Sequence, residues 1–197
     1  MVHGVPLAAL ILTVTVAFYA VDFYFLLRYD PQRRQGKGWS WDYTLLTVVM
    51  GLAIILQPVF LPRLGWSSGH PLGLILQVVG LVCIAASFSL HIWARRHLQK
   101  FYAERVELQA DHRVIQSGPY AHMRHPVITS FFCLAVGVFM LNPALTTILV
   151  LIYVFWDFNR AARQEESLLS RELPGYAEYM QRTPRFLPRP WRHRDPS

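Results

Sequence analysis

Two polar segments of the chain contain the side chains best suited to chemistry. The first begins at Asp111-His112-Arg113 and ends at Arg124-His125-Pro126, and the second begins at the adjacent acids Glu165-Glu166. Carboxylates accept hydrogen bonds and protons, guanidinium groups orient anions, and imidazoles exchange protons near neutral pH. Because long apolar stretches surround both segments, we expect the chemistry of this chain to lie in them.

The two acids of the second segment cannot both face one small site. Adjacent residues on a helix point about 100° apart, so one is expected to bind a ligand and the other to be solvated or salt-bridged. Arg163 lies three residues before Glu166, and a surface ion pair between them is the plain structural explanation. His122 and His125 have a spacing that can bind metal, but no third ligand lies near and no metal is expected.

The composition predicts a membrane protein. Hydrophobic residues make up 53% of the chain and charged residues 16%. The apolar segments are Pro6–Leu27, Tyr43–Leu61, Leu72–Ala94, Val127–Leu141 and Pro143–Phe158. The first three are long enough to cross a hydrocarbon core of about 30 Å, whereas the last two are shorter and meet at a turn signal, Asn142-Pro143. The sequence therefore predicts an all-α integral membrane protein with about five transmembrane helices, the last two forming a short helical hairpin.

The distribution of positive charge predicts the topology. The net charge is +7, and 18 of the 19 lysines and arginines lie in alternate connecting segments, with Arg63 as the exception. By the positive-inside rule these segments are cytoplasmic. A multi-pass protein then has its N-terminus outside and both polar segments and its C-terminus in the cytoplasm. Topology and attraction to anionic lipid headgroups explain the charge, and no nucleic-acid partner is expected.

The chain divides by its chemistry into two parts. Residues 1–94 contain the three N-terminal helices, and residues 95–197 contain both polar segments, the hairpin and a basic tail. Asp22 and His91 are ionisable residues inside the first part, and such residues are functional candidates in membranes. Both lie near a helix end, so packing or interfacial solvation is expected for them rather than ligand contact.

Turn residues predict the local structure of the second part. Gly118-Pro119 predicts a turn, and Pro126 fits the first turn of a helix. The fifth helix is expected to continue to about Leu173, where Pro174-Gly175 ends it. Tyr176–Arg182 is then expected to form another short helix.

The motifs of the second part resemble the isoprenylcysteine carboxyl methyltransferase family, which belongs to a wider group that includes phospholipid methyltransferases. The first similar stretch runs from Val106 to Tyr120 and continues at Arg124-His125-Pro126. The second has Glu165-Glu166 with Leu168-Leu169, followed by Tyr176, Tyr179 and Pro184-Arg185. Two ordered motifs on either side of a hairpin are more specific than either alone.

The resemblance implies S-adenosylmethionine as the methyl donor, bound in a cytoplasmic C-terminal pocket. The residues carried over to this cofactor are Gln109, His112, Arg113, Val114, Ile115, Tyr120, His125, Pro126 and Glu165. An arginine ahead of the glutamate pair would act on the substrate, and its family position falls between Arg160 and Arg163. A carboxylate acceptor needs no base at neutral pH, whereas an amine acceptor needs a proton acceptor, a role open to Glu166 or His112.

The acceptor that the resemblance implies is lipophilic: a prenylcysteine-type carboxylate or another lipid-like molecule that enters sideways from the bilayer. Ile128 and Ser130 stand where the family usually has an aromatic residue and a glycine, and Leu173-Pro174 replaces a Phe-Gly. Two other functions stay open. One is an NADPH-dependent membrane reductase of the sterol-reductase type, which has a similar hairpin, and the other is a non-catalytic membrane partner. The sequence does not predict the oligomeric state.

Overall fold

The computed structural model describes residues 2–29, 41–65, 71–98 and 114–187. Within these ranges the chain forms α-helices and short 3₁₀ turns, without a β-strand. The helices are α1 Gly4–Tyr29, α2 Trp41–Phe60, α3 Pro71–Leu98, α4 Pro126–Leu141, α5 Leu145–Glu172 and α6 Tyr176–Arg182, and the 3₁₀ turns are Pro62–Leu64 and Gly118–Ala121. The predicted all-α class is confirmed.

The helices end where the sequence has turn signals. α4 begins at Pro126, whose missing N–H would have no partner in a first turn. Asn142-Pro143 lies between α4 and α5. Gly175 lies between α5 and α6 with a φ of 81°, a conformation that glycine adopts without strain. The predicted extension of the fifth helix and the short helix after it are both confirmed.

Among the residues that the structure describes, three helices are long and apolar enough to cross a membrane: Gly4–Tyr29, Leu72–Leu98 and Leu145–Glu172. Thr44–Phe60 and Pro126–Leu141 are apolar but shorter. The second arm of the expected hairpin is thus a 28-residue helix, because its apolar part is joined without a break to the polar stretch that follows. The structure supports an integral membrane protein, and the count of five spans stays a prediction.

The N-terminal and C-terminal parts of the chain share one apolar core. Its buried side chains come from α1, α3 and α4: Leu7, Ile11, Phe18, Ile84, Leu134, Val138 and Leu141. Residue 94 therefore divides the sequence into a part without the two polar segments and a part that contains them. The helices of both parts nevertheless pack together.

Two glycines let α3 and α4 approach closely. A Cβ at Gly80 would lie 2.8 Å from the carbonyl oxygen of Gly137. A Cβ at Gly137 would lie 2.6 Å from Cγ1 of Ile84. Since real Cβ atoms do not approach other heavy atoms so closely, the lack of a side chain at both positions sets the distance between the helices.

A polar network joins the helices at the end opposite the polar segments. The Asn142 Nδ2 group donates to Gln57 Oε1 at 2.6 Å. Gln77 Nε2 donates to the carbonyl oxygens of Leu141, at 3.2 Å, and Val2, at 2.9 Å. The buried amides of α2 and α3 are therefore satisfied inside the protein, as buried polar groups generally are.

Candidate functional site

The segment before α4 is folded by a glycine turn against the end of α3. Gly118 has a φ of 59° and begins the 3₁₀ turn Gly118–Ala121, so the predicted turn is confirmed. A Cβ at Gly118 would overlap the ring of His97. This turn directs the chain into α4, with His125 at the N-cap position.

The two polar segments meet through their backbones. The Arg124 N–H donates to the carbonyl oxygen of Pro184 at 2.9 Å, and the His125 N–H donates to that of Arg185 at 3.0 Å. One turn later, Thr129 Oγ1 donates to the carbonyl oxygen of Phe186 at 3.0 Å. The start of α4 is therefore tied to the chain that follows α6.

Glu166 is the centre of this junction. Its side chain is only 3% exposed. Its Oε1 accepts from Arg124 Nε at 2.9 Å and from His125 Nε2 at 3.0 Å. Arg185 Nη2 donates to Oε2 at 2.5 Å. A buried carboxylate is stable only when its charge is compensated and its lone pairs are bonded, and two guanidinium groups and an imidazole do this here.

Arg124 extends the junction to α6. Its Nη1 donates to the carbonyl oxygen of Met180 at 2.7 Å and to that of Thr183 at 2.5 Å. These carbonyls lie at the C-terminal end of α6, where backbone acceptors lack helical partners. One side chain therefore bonds both to Glu166 on α5 and to the end of α6.

The surroundings of His125 favour its neutral form. Burial lowers its pKa, and Arg124 adds to this effect, together outweighing the attraction of Glu165 and Glu166 for a proton. Because a carboxylate only accepts hydrogen bonds, Nε2 must carry the ring proton toward Glu166. Nδ1 is then a hydrogen-bond acceptor, 3.8 Å from Oε2 of Glu165.

The structure separates the two adjacent acids. Glu166 is buried in the junction, while the side chain of Glu165 is 32% exposed. The expected surface pair with Arg163 is not made, because Glu166 pairs with Arg124 and Arg185 instead. This placement favours a positioning role for Glu166 over the proton-acceptor role expected from the sequence.

The two arginines expected on the substrate side are both exposed on α5. The Arg160 guanidinium lies over the ring of Trp156, 5.7 Å from its centroid. On a helix Arg163 points about 60° from Glu166 and Arg160 about 120° away. Of the two, Arg163 therefore lies closer to the face of α5 that carries the junction.

Two tyrosines of α6 pack the other side of the site. Tyr176 and Tyr179 are 5% and 4% exposed and form a small core with Leu173. The Tyr179 hydroxyl donates to the carbonyl oxygen of Tyr120 at 2.6 Å, and burial raises the pKa of Tyr179 to about 12. This bond holds the 118–121 turn against α6.

A cleft of about 340 Å³ opens beside these tyrosines. Its walls are Val114, Gln116, Pro174, Gly175, Glu178, Tyr179 and Arg182. It lies between the chain that precedes the Gly118–Ala121 turn and the residues of α6. Its walls are partly apolar and include one acid, Glu178, and one base, Arg182.

The residues expected to hold a cofactor are only partly covered by the structure. Gln109, His112 and Arg113 lie outside the described residues. Val114 lines the cleft. Ile115 is half-buried next to it, and Tyr120, His125 and Pro126 are buried around the start of α4.

Sequence reasoning assigned no role to Arg124, Arg185 or Tyr179, which organise the junction. A signal was present, since Arg124 belongs to the first of the two motifs and Tyr179 and Arg185 belong to the second. Within the described ranges, no group of three or more His, Cys, Asp or Glu side chains is arranged to hold a metal ion.

In the described part of the chain, helices of membrane-spanning length surround a buried Arg–His–Glu junction, an arrangement typical of an integral membrane protein. Residues 78–171 match the isoprenylcysteine carboxyl methyltransferase family. The matched range includes most of α3, all of α4 and nearly all of α5, with Arg124, His125 and Glu166.

The similar curated proteins include isoprenylcysteine methyltransferases and metal-resistance proteins. The protein-S-isoprenylcysteine O-methyltransferase B of Arabidopsis thaliana is 29% identical over 160 residues, 76% of this chain and 75% of the relative. The protein-S-isoprenylcysteine O-methyltransferase of Schizosaccharomyces pombe is 29% identical over 119 residues, 59% of this chain and 45% of the relative. The nickel-cobalt-cadmium resistance protein NccN of Alcaligenes xylosoxydans xylosoxydans is 34% identical over 77 residues, 39% and 36% of the two chains.

The matched range and the isoprenylcysteine methyltransferases among the relatives confirm the resemblance to the isoprenylcysteine carboxyl methyltransferase family that was seen in the sequence. The chain spans half or less of the length of three of these relatives, NccN, the cobalt-zinc-cadmium resistance protein CzcN of Cupriavidus metallidurans and the S. pombe enzyme.

Proposed function

We propose that this protein is an integral-membrane methyltransferase that uses S-adenosylmethionine and methylates a lipophilic acceptor. The observation that carries the proposal is the junction at Glu166, which joins the Arg124-His125-Pro126 motif to Pro184-Arg185. Residues that are far apart in the sequence, and that carry the family resemblance, therefore lie around one site.

The groups present at the site fit the methyl donor. S-adenosylmethionine offers an ammonium group and ribose hydroxyls as donors, and Glu165 and Nδ1 of His125 are acceptors placed near each other. The stretch that begins at Val114 and the cleft beside Tyr179 offer apolar walls for an adenine ring. Gln109, His112, Arg113, Ile115, Tyr120 and Pro126 complete the proposed cradle.

The chain's contribution to catalysis is positioning. When bound, S-adenosylmethionine supplies an electrophilic methyl group on a sulfonium, and displacement at this carbon requires the acceptor in line with the bond that breaks. A carboxylate acceptor is ionised at neutral pH and needs no base. We assign its orientation to Arg163 in preference to Arg160, because Arg163 lies nearer the junction on α5.

Glu166 serves this chemistry indirectly. Both of its oxygens are held by guanidinium groups, so we assign it the role of fixing His125 and Arg185 rather than of accepting a proton. An amine acceptor would need another base, and His112 is the residue that the sequence offers.

The lipophilic acceptor is proposed to reach the site from the bilayer. Exposed apolar side chains line the outer face of α5, among them Ile152, at 60% exposure, and Trp156, at 57%. Surfaces of this kind are stable against lipid. Protein-S-isoprenylcysteine O-methyltransferases are named for a prenylated cysteine, and a prenylcysteine-type carboxylate is the first acceptor to test.

Calorimetric titration of the purified protein in detergent tests the cofactor. We expect saturable binding of S-adenosylmethionine, and none of NADPH. Binding of NADPH alone would support a reductase instead, and binding of neither would support a non-catalytic membrane partner.

A variant pair tests the cradle in the same titration. Glu165→Ala is expected to abolish binding of S-adenosylmethionine, while Glu172→Ala, which removes an exposed acid from the same helix, leaves the affinity unchanged. Equal affinities in the two variants would show that Glu165 does not contact the donor.

A further inference from the structure

A second buried charge cluster lies between α1 and α3. Asp22 is 9% exposed, and its Oδ1 lies 3.0 Å from Nε2 of His91, which has no exposed surface. The same oxygen accepts from Nη2 of Arg95. Charged groups inside a membrane helix are costly and are kept where they have partners or a role.

His91 connects this cluster to α4. Its Nδ1 lies 2.9 Å from Oγ of Ser130. Ser130 Oγ also lies 2.5 Å from the carbonyl oxygen of Val127, to which it donates. The backbone carbonyl of Ser130 accepts from Ser87 Oγ at 2.7 Å. Asp22, His91 and Ser130 thus lie in one buried polar chain across α1, α3 and α4, in which Nε2 of His91 faces Asp22 as a close electrostatic contact without a well-aligned hydrogen bond.

Aromatic rings shield this polar chain from water. The ring of Phe18 lies 4.6 Å from that of His91, and the ring of Phe131 lies 5.6 Å from it, measured between centroids. Hydrogen bonds are stronger where water is excluded. The chain therefore fixes the three helices more firmly than surface contacts would.

Two routes lead from this polar chain to the candidate site. Along α4, Ser130 follows Thr129, whose hydroxyl bonds the carbonyl oxygens of His125 and Phe186. Along α3, the helix that carries His91 ends at Leu98, and its His97 packs beneath Gly118. Both routes end at residues 118–125.

We propose that Asp22 and His91 are positioning residues for the methyl-donor site. They fix the rotation of α3 and the start of α4, and so hold residues 118–125 in the conformation that binds S-adenosylmethionine. The inference rests on the proposed function. Apolar side chains could join the three helices equally well, whereas the charged chain sets one rotation of α3.

The test measures cofactor affinity and stability separately in the full chain. Asp22→Asn and His91→Leu are expected to raise the Kd for S-adenosylmethionine roughly tenfold. The KM for this cofactor should rise while kcat is retained, because the reacting groups are untouched. His91→Gln, whose side-chain amide can donate to Asp22, should recover part of the affinity.

Gln77→Leu is the matched control, since it removes a buried polar link of α3 at the opposite end. It is expected to lower the unfolding temperature and leave the Kd unchanged. If Asp22→Asn and His91→Leu do the same, the cluster is structural and the proposal is overturned. If neither variant folds, Ser130→Ala, a smaller change, decides by the same criterion.

Cofactor binding by the wild-type protein distinguishes a failure of the positioning role from a failure of the proposed function. Wild-type protein that does not bind S-adenosylmethionine overturns the proposed function, and the positioning role falls with it. Wild-type binding with unchanged affinity in the folded variants overturns only the positioning role.

Discussion

At the scale of single residues, the site depends on one buried carboxylate. Glu166 receives hydrogen bonds from Arg124, His125 and Arg185, which come from two separate parts of the chain. Removing one partner of a buried ion pair leaves the others uncompensated. The stability of the junction and the geometry of the proposed methyl-donor site should therefore fail together.

Glu166→Gln tests this coupling. The neutral amide keeps the volume but leaves two guanidinium groups without their counter-charge, so we expect a loss of about 3 kcal/mol in unfolding free energy. The Kd for S-adenosylmethionine should rise in the same variant. Glu172→Gln, on the exposed surface of α5, should change the stability by less than about 0.5 kcal/mol. Equal effects of the two substitutions on both quantities would contradict the account.

His125 gives the site a pH dependence. Its pKa is lowered in the folded protein, mainly by burial, so the fold favours the neutral ring. Above the unfolded value of about 6.5 both states are neutral and the contribution is fully present. As the pH falls below this value, the unfolded chain binds the proton first and stability is lost.

Thermal unfolding between neutral and mildly acidic pH checks this sign. The wild type should lose more stability over that interval than His125→Gln, which cannot titrate at this position. If the wild type loses no more stability than the variant, then folding does not lower the pKa of His125, and the prediction is wrong.

Part of this residue-scale picture could be predicted from the sequence. Helical geometry alone separates Glu165 from Glu166, but it does not say which is buried. That choice depends on where Arg124 and Arg185 dock, and these contacts join residues distant in the sequence. The expected pair with Arg163 considers only neighbours on one helix, and the tertiary contacts override it.

At the scale of helices, α3 and α4 form the frame that carries the site. Their crossing at Gly80 and Gly137 brings them into close contact in the middle. The polar chain at His91 and Ser130 then aligns them toward the site. A change at the crossing should therefore act at a distance on the proposed methyl-donor site.

Gly137→Ala tests the crossing. The added Cβ would meet Ile84 at 2.6 Å, and overpacking of this kind costs about 1–3 kcal/mol. Gly51→Ala is the control, because nothing lies within 4 Å of its Cβ position. We expect the control to be neutral or slightly stabilising, since alanine favours a helix interior. Comparable unfolding temperatures for the two variants would contradict the close approach.

Helix boundaries were largely predictable because they depend on local residues. Pro126, Asn142-Pro143 and Gly175 act through backbone conformation, and the helices begin or end beside them. The continuation of α5 to about Leu173 was predicted as well, although the apolar run by itself ends at Phe158. Hydrophobicity marks the part that suits lipid, whereas the helix itself continues through polar residues to Glu172.

At the scale of the whole molecule, two polar centres lie at opposite ends of an apolar helix bundle. Gln57 and Asn142 close one end, and the Glu166 junction lies at the other. The predicted orientation places the Glu166 end in the cytoplasm, where S-adenosylmethionine is available. A water-soluble donor could then enter from the cytoplasm while a lipid-like acceptor enters from the bilayer.

Transfer of a labelled methyl group tests the central claim most directly. The full chain in lipid vesicles would be supplied with S-adenosylmethionine labelled on its methyl group and with a farnesylated cysteine carrying a free carboxylate. The account predicts label in the extracted lipophilic product from the wild type, none from Glu165→Ala and wild-type yield from Glu172→Ala. Equal yields from the wild type and Glu165→Ala, or no transfer and no donor binding by the wild type, would contradict it.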